Sequence, residues 1–138
     1  MTVTETQDGV QPRSVRKAPW ILMLDDDDDF QLILRRMLQG KYDTVSLPHG
    51  EEFFHVVNSI MPDLIILDVE MPGPSGYTLC QRLKSIDRFK KIPVLFLTGQ
   101  RTDEDFLEHL DTGGDAFLTK PFDRDELLLT IESLIKKY

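Results

Sequence analysis

Two periodicities alternate along this chain five times, and that alternation limits its fold more than any other feature. Short apolar runs rich in β-forming residues occupy positions 21–24, 64–67, 94–97 and 116–118, with a weaker run at 44–47. Stretches with helical spacing separate them. Phe30, Ile33, Leu34, Met37 and Leu38 fall at offsets 0, 3, 4, 7 and 8, one face of a helix, with Gly40 as its C-cap. Phe53, Val56, Val57 and Ile60 repeat the spacing, and Leu79, Leu83 and Ile86 mark a third helix. Phe106, Leu107 and Leu110 mark a fourth, opened by Thr102 with Asp105 three residues on. Leu127, Ile131, Leu134 and Ile135 mark the last, opened by Asp123 with Glu126 in the capping-box position. Near-continuous apolar strands alternating with helices require a parallel sheet covered on both faces. Right-handed crossovers make it a doubly wound α/β sandwich of five parallel strands.

At 138 residues the chain suits one domain. Residues 1–18 are polar, with almost nothing to bury, and read as a flexible tail ahead of a domain at 19–138. A net charge of −8 argues against nucleic acid or an anionic membrane as the main partner of this domain. Cys80 is the single cysteine, so no intramolecular disulfide can form, and a reducing cytoplasm is expected. Its place among helical apolar positions reads as a small buried residue. No apolar run reaches membrane-span length, and the N-terminus lacks the apolar segment of a signal peptide.

In a doubly wound sheet, functional groups gather beyond the carboxyl ends of the strands. Asp25 and Asp26 follow the first run, Asp68 the third, Thr98 the fourth and Lys120 the fifth. Three carboxylates, a hydroxyl and an amine thus converge on one edge. Clustered carboxylates resist ionising together without a cation, and an all-oxygen ligand set suits Mg²⁺ or Mn²⁺ rather than zinc. With Thr98 and Lys120 as donors to oxygen, these are the parts of phosphoryl transfer. The run ILMLDDDDDF therefore divides. Asp25 and Asp26 belong to the metal site, Asp28 and Asp29 sit where the first helix begins and one of them caps it, and Asp27 faces water or the rim.

The segments LDDDDDF, LIILDVEMPGPSGYTL, PVLFLTG and FLTKPF resemble the receiver domain of two-component response regulators, in that family's order and spacing. The resemblance runs from about Ile21 to the C-terminus. It implies a flavodoxin-like (βα)5 three-layer sandwich with strand order 2-1-3-4-5. It implies that Asp68 is the phosphoacceptor, and that Asp25, Asp26, Asp68 and the backbone carbonyl of Glu70 hold the metal. Thr98 and Lys120 become the phosphoryl-binding pair, Phe117 a switch aromatic coupled to Thr98, and Lys120–Pro121 a cis peptide. Glu70 and Gln100 fall where the family tunes hydrolysis, and Gly99 leaves room for the phosphoryl group. The partners implied are a histidine kinase or histidine phosphotransfer protein, docking at the first helix, and a downstream target or output domain. Phosphorylation-dependent dimerisation stays open. Such a domain is no enzyme beyond its own phosphorylation and dephosphorylation.

Three other readings fit less well. A haloacid-dehalogenase-like phosphohydrolase would need a further acidic motif after the lysine, yet only 18 residues follow Lys120, and Asp68 would have no role. A pseudo-receiver usually lacks one of the five key residues, all present here. An EF-hand would need a glycine and a distal glutamate that the aspartate run lacks. His49, His55 and His109 show no metal-ligand spacing, and 71–76 reads as a structural loop.

Overall fold

The computed structural model describes residues 16–70, 75–99 and 112–137. Five strands, β1 (Trp20–Leu24), β2 (Asp43–Leu47), β3 (Leu64–Asp68), β4 (Val94–Thr98) and β5 (Ala116–Thr119), form one parallel sheet in the order β2-β1-β3-β4-β5. Helices α1 (Asp28–Leu38), α2 (Phe53–Ile60) and α3 (Gly76–Lys84) and a C-terminal helix (Arg124–Lys137) cover it. The expected fold class and strand order are both present. The fourth expected helix, with Thr102, Asp105 and His109, lies outside the described residues, as do Gln100 and Met71 to Pro74.

Every residue of β3 and β4 is buried, which is why these strands read as unbroken apolar runs. β2 is an edge strand with no buried residue, and its weak pattern in the sequence has that cause. Alternate strand residues serve two cores. Leu22, Leu24, Ile65, Leu67, Val94 and Phe96 pack against α2 and α3. Ile21, Met23, Leu64, Ile66, Leu95 and Leu97 pack against α1 and the C-terminal helix.

Local chemistry sets the helix ends, with three departures from expectation. The α1 cap is Asp27, not Asp28 or Asp29. Its Oδ1 accepts from the Phe30 N–H at 3.1 Å, and the other two form the acidic first turn. The buried stripe of α1 is Gln31, Leu34 and Leu38, while Ile33, expected to face the core, is 48% exposed. Ile86 lies beyond the end of α3 and is 37% exposed. Gly40 takes φ +89° just past α1, as a helix-ending glycine does.

The C-terminal helix opens with the expected capping box, in which Asp123 Oδ1 accepts from the Glu126 N–H at 2.8 Å. Asp123→Ala should cost about 1 kcal/mol, a fall of about 4 °C in Tm by calorimetry. At the opposite end, Arg16 falls within the expected tail, yet its side chain is held. The guanidinium stacks 4.4 Å from the Trp20 ring and donates to the carbonyls of Ile60 and Met61.

Candidate functional site

Strand register delivers the acidic groups side by side. Leu24 on β1 pairs with Leu67 on β3, so the next residue on each strand, Asp25 and Asp68, emerges at the same level. Asp26 follows on the exposed side. Carboxylate oxygens of Asp25, Asp26 and Asp68 all lie within 4.8 Å of one another. Thr98 ends β4 opposite Thr119 of β5, and the next residue, Lys120, places Nζ 3.6 Å from Asp25 Oδ2 and 3.7 Å from Asp68 Oδ1. Four of the residues expected to carry the metal and phosphoryl chemistry, Asp25, Asp26, Asp68 and Lys120, therefore meet. Thr98 is buried beside them at the end of the neighbouring strand.

Backbone donors orient both buried carboxylates. The Asp27 N–H reaches Asp25 Oδ1 at 2.9 Å, and the Glu70 N–H reaches Asp68 Oδ1 at 3.1 Å. Burial pushes the Asp68 carboxyl from its ordinary 3.8 up to about 6. The Glu70 N–H and Lys120 oppose that rise, whereas the charges of Asp25 and Asp26 reinforce it. Asp25 Oδ2 is buried and accepts no hydrogen bond. A buried carboxylate oxygen without a donor, among three carboxylates facing one ammonium, fits a hard divalent cation bound through oxygen. Exposed Asp26 keeps the cluster open to solvent.

The surrounding residues include some that sequence reasoning passed over. Gln31, buried in α1, donates from Nε2 to the carbonyls of Asp25 at 2.5 Å and Leu47 at 2.8 Å, tying the helix to the ends of β1 and β2. A polar side chain on a core-facing helical position was the available signal. Gln31→Leu should cost about 1–3 kcal/mol, read as a lower Tm, because it strips donors from two carbonyls. Gly76, at the start of α3, lies so close to β3 that an added Cβ would stand 2.5 Å from the Asp68 carbonyl oxygen.

Among the remaining candidates, Lys120–Pro121 is cis. Glu70 is exposed, and its Oε2 would lie 3.5 Å from a Cβ at Gly99, so this carboxylate borders the space over Thr98 and Gly99. Phe117 is half-buried on β5 opposite Phe96, against the α2–α3 core. Strand alternation puts it on the same sheet face as Thr98. Cys80 is buried as expected. Desolvation raises its thiol to about 11, and Sγ donates to the Thr112 carbonyl at 3.5 Å. His49 and His55 are exposed.

The family model described as the response regulator receiver domain matches residues 21–132. This chain belongs to the response regulator receiver domain family. The transcriptional regulatory protein RprY of Bacteroides fragilis is 36% identical over 118 residues, covering 85% of this chain and 49% of RprY. A putative response regulator from Chloroflexus aurantiacus superposes with a TM-score of 0.83 at 32% identity, covering 87% of this chain and 99% of that one. The receiver domain of the sensor histidine kinase PA1611 of Pseudomonas aeruginosa superposes with a TM-score of 0.79 at 23% identity, covering 86% and 98%. That structure holds a magnesium ion in its active-site cleft, and at this identity the likeness shows the fold alone. This receiver chain spans about half the length of the curated relatives it matches. No helix among its described residues is long and apolar enough to cross a membrane.

Proposed function

We propose that this receiver domain is a phospho-accepting signalling switch, taking a phosphoryl group on Asp68 from a phosphohistidine of a histidine kinase or phosphotransfer protein. The observation that carries the reading is the meeting of Asp25, Asp26, Asp68 and Lys120 at one sheet edge. An Asp68 carboxylate oxygen attacks phosphorus, the P–N bond breaks, and its electron pair returns to the imidazole nitrogen. A carboxyl group held near 6 remains mostly ionised at neutral pH while gaining basicity, which suits a nucleophile. Lys120 offsets charge on a phosphoryl oxygen, and the Thr98 hydroxyl donates to another. Asp25, Asp26, Asp68 and the Glu70 carbonyl would hold Mg²⁺, or Mn²⁺, which when bound neutralises charge on the phosphoryl oxygens. Glu70 borders the space over Gly99, and it tunes, together with Gln100 two positions after Thr98 in the sequence, how long the phosphoryl group lasts.

Engagement of Thr98 draws its hydroxyl inward and lets Phe117 turn, reshaping the surface that includes β5 and the C-terminal helix. A target protein or output domain reads that surface, and α1 docks the phosphodonor. The domain acts on no substrate but its own aspartate and works in the cytoplasm. Intact mass after incubation with a small-molecule phosphodonor and Mg²⁺ tests the reading. One added phosphoryl group, lost when Mg²⁺ is withheld, is expected. Neither an adduct nor continuous release of phosphate would leave a binding module that is never phosphorylated.

A further inference from the structure

Lys120 has a partner besides the carboxylates. Its Nζ stands 3.6 Å from Asp25 Oδ2 and 3.7 Å from Asp68 Oδ1, beyond ordinary hydrogen-bond length. The same Nζ lies 4.2 Å from the centroid of the Phe30 ring. An ammonium this close to an aromatic face is attracted by the ring quadrupole. The ring is itself fixed. Phe30 packs half-buried against the core beneath α1 and meets Phe122 edge-on, with centroids 6.0 Å apart and planes at 83°. Its backbone N–H is the one that Asp27 caps. Sequence neighbours of the acidic pair on one side and of Lys120 on the other thus build a seat for the ammonium.

We infer that Phe30 is a positioning residue whose ring face holds the Lys120 ammonium back from Asp25 and Asp68, keeping the buried Asp25 Oδ2 open to a divalent cation. The inference rests on the receiver reading of the site. It explains why an oxygen within 3.6 Å of an ammonium accepts no hydrogen bond. With an aliphatic side chain at position 30 the ammonium closes onto Asp25 Oδ2 and competes with the cation for it.

The test uses the full chain and its Phe30→Leu, Phe30→Met and Phe30→Tyr variants. Mg²⁺ alone is titrated by calorimetry, and the Lys120 ε-methylene signals, assigned by their loss in Lys120→Gln, are followed by NMR. Wild type and Phe30→Tyr should show those signals shifted upfield by the ring current. Phe30→Leu and Phe30→Met should lose the shift and bind Mg²⁺ about fivefold more weakly, with dispersed spectra confirming that they fold. Wild-type Mg²⁺ affinity in both aliphatic variants, or a Tyr variant as weak as the Leu variant, overturns the inference. Failure of the receiver reading looks different: the wild type itself then binds no Mg²⁺.

Discussion

Asp68→Asn should make the metal-free protein more stable at pH 7 while removing its capacity to accept a phosphoryl group. The folded state raises the Asp68 carboxyl from 3.8 to about 6, chiefly through burial. A group whose pKa is higher folded than unfolded binds its proton more tightly in the native state. Its contribution is fully present below about pH 4 and is lost as pH rises through 6. At pH 7 the ionised carboxylate therefore costs on the order of 1–3 kcal/mol, which asparagine removes. Thermal melts should show Asp68→Asn above wild type by several degrees at pH 7, with the gap closing towards pH 4. Mg²⁺ relieves the same repulsion, so it should raise the Tm of wild type more than that of the variant. A variant that melts lower than wild type at pH 7 without metal would contradict this electrostatic account.

Gly76→Ala should be the most damaging single methyl group near the site. The new Cβ would stand 2.5 Å from the Asp68 carbonyl oxygen and 3.2 Å from its carbon, both backbone atoms that cannot turn aside. α3 must then move away from the end of β3, against a helix face that buries Tyr77, Leu79, Cys80 and Leu83. A loss of about 3 kcal/mol follows from overpacking of this kind, about 10 °C in Tm. Because the clash is with Asp68's own backbone, phosphorylation of the folded fraction should slow as well. Gly40→Ala provides the contrast. Nothing lies within 4 Å of its added Cβ, so it carries only the strain of φ +89°, about 1 kcal/mol. Chemical denaturation of both variants decides it, and equal losses would show that the close approach at Gly76 has slack.

Much of this was legible because the fold places chemistry where the sequence breaks pattern. Asp25, Asp68, Thr98 and Lys120 each end an apolar strand with a polar group, and an aligned parallel register brings such groups together. The edge strand β2 was faint because only one side of it is covered. What escaped notice has a different physics. Five identical residues in a row cannot reveal which one caps the helix, so Asp27 was passed over for its neighbours. Gln31 was hidden because hydrophobic periodicity gives no weight to a polar residue, although it lies three and seven positions before the buried Leu34 and Leu38 and donates to two backbone carbonyls. Gly76 matters through the close approach of α3 to the end of β3, and Phe30 through a contact with Lys120, far along the chain; hydrophobic spacing signals neither.

Locating the phosphoryl group tests the central claim most directly. An acyl phosphate is reduced by borohydride to an alcohol, which converts the acceptor aspartate into homoserine. The protein should be phosphorylated with a small-molecule donor and Mg²⁺, reduced with labelled borohydride, and its peptides mapped by mass. Label confined to Asp68, and absent when Mg²⁺ is withheld, is the predicted result. Label on Asp25 or Asp26, or none in a protein whose intact mass shows the adduct, would contradict the assignment of Asp68 as acceptor.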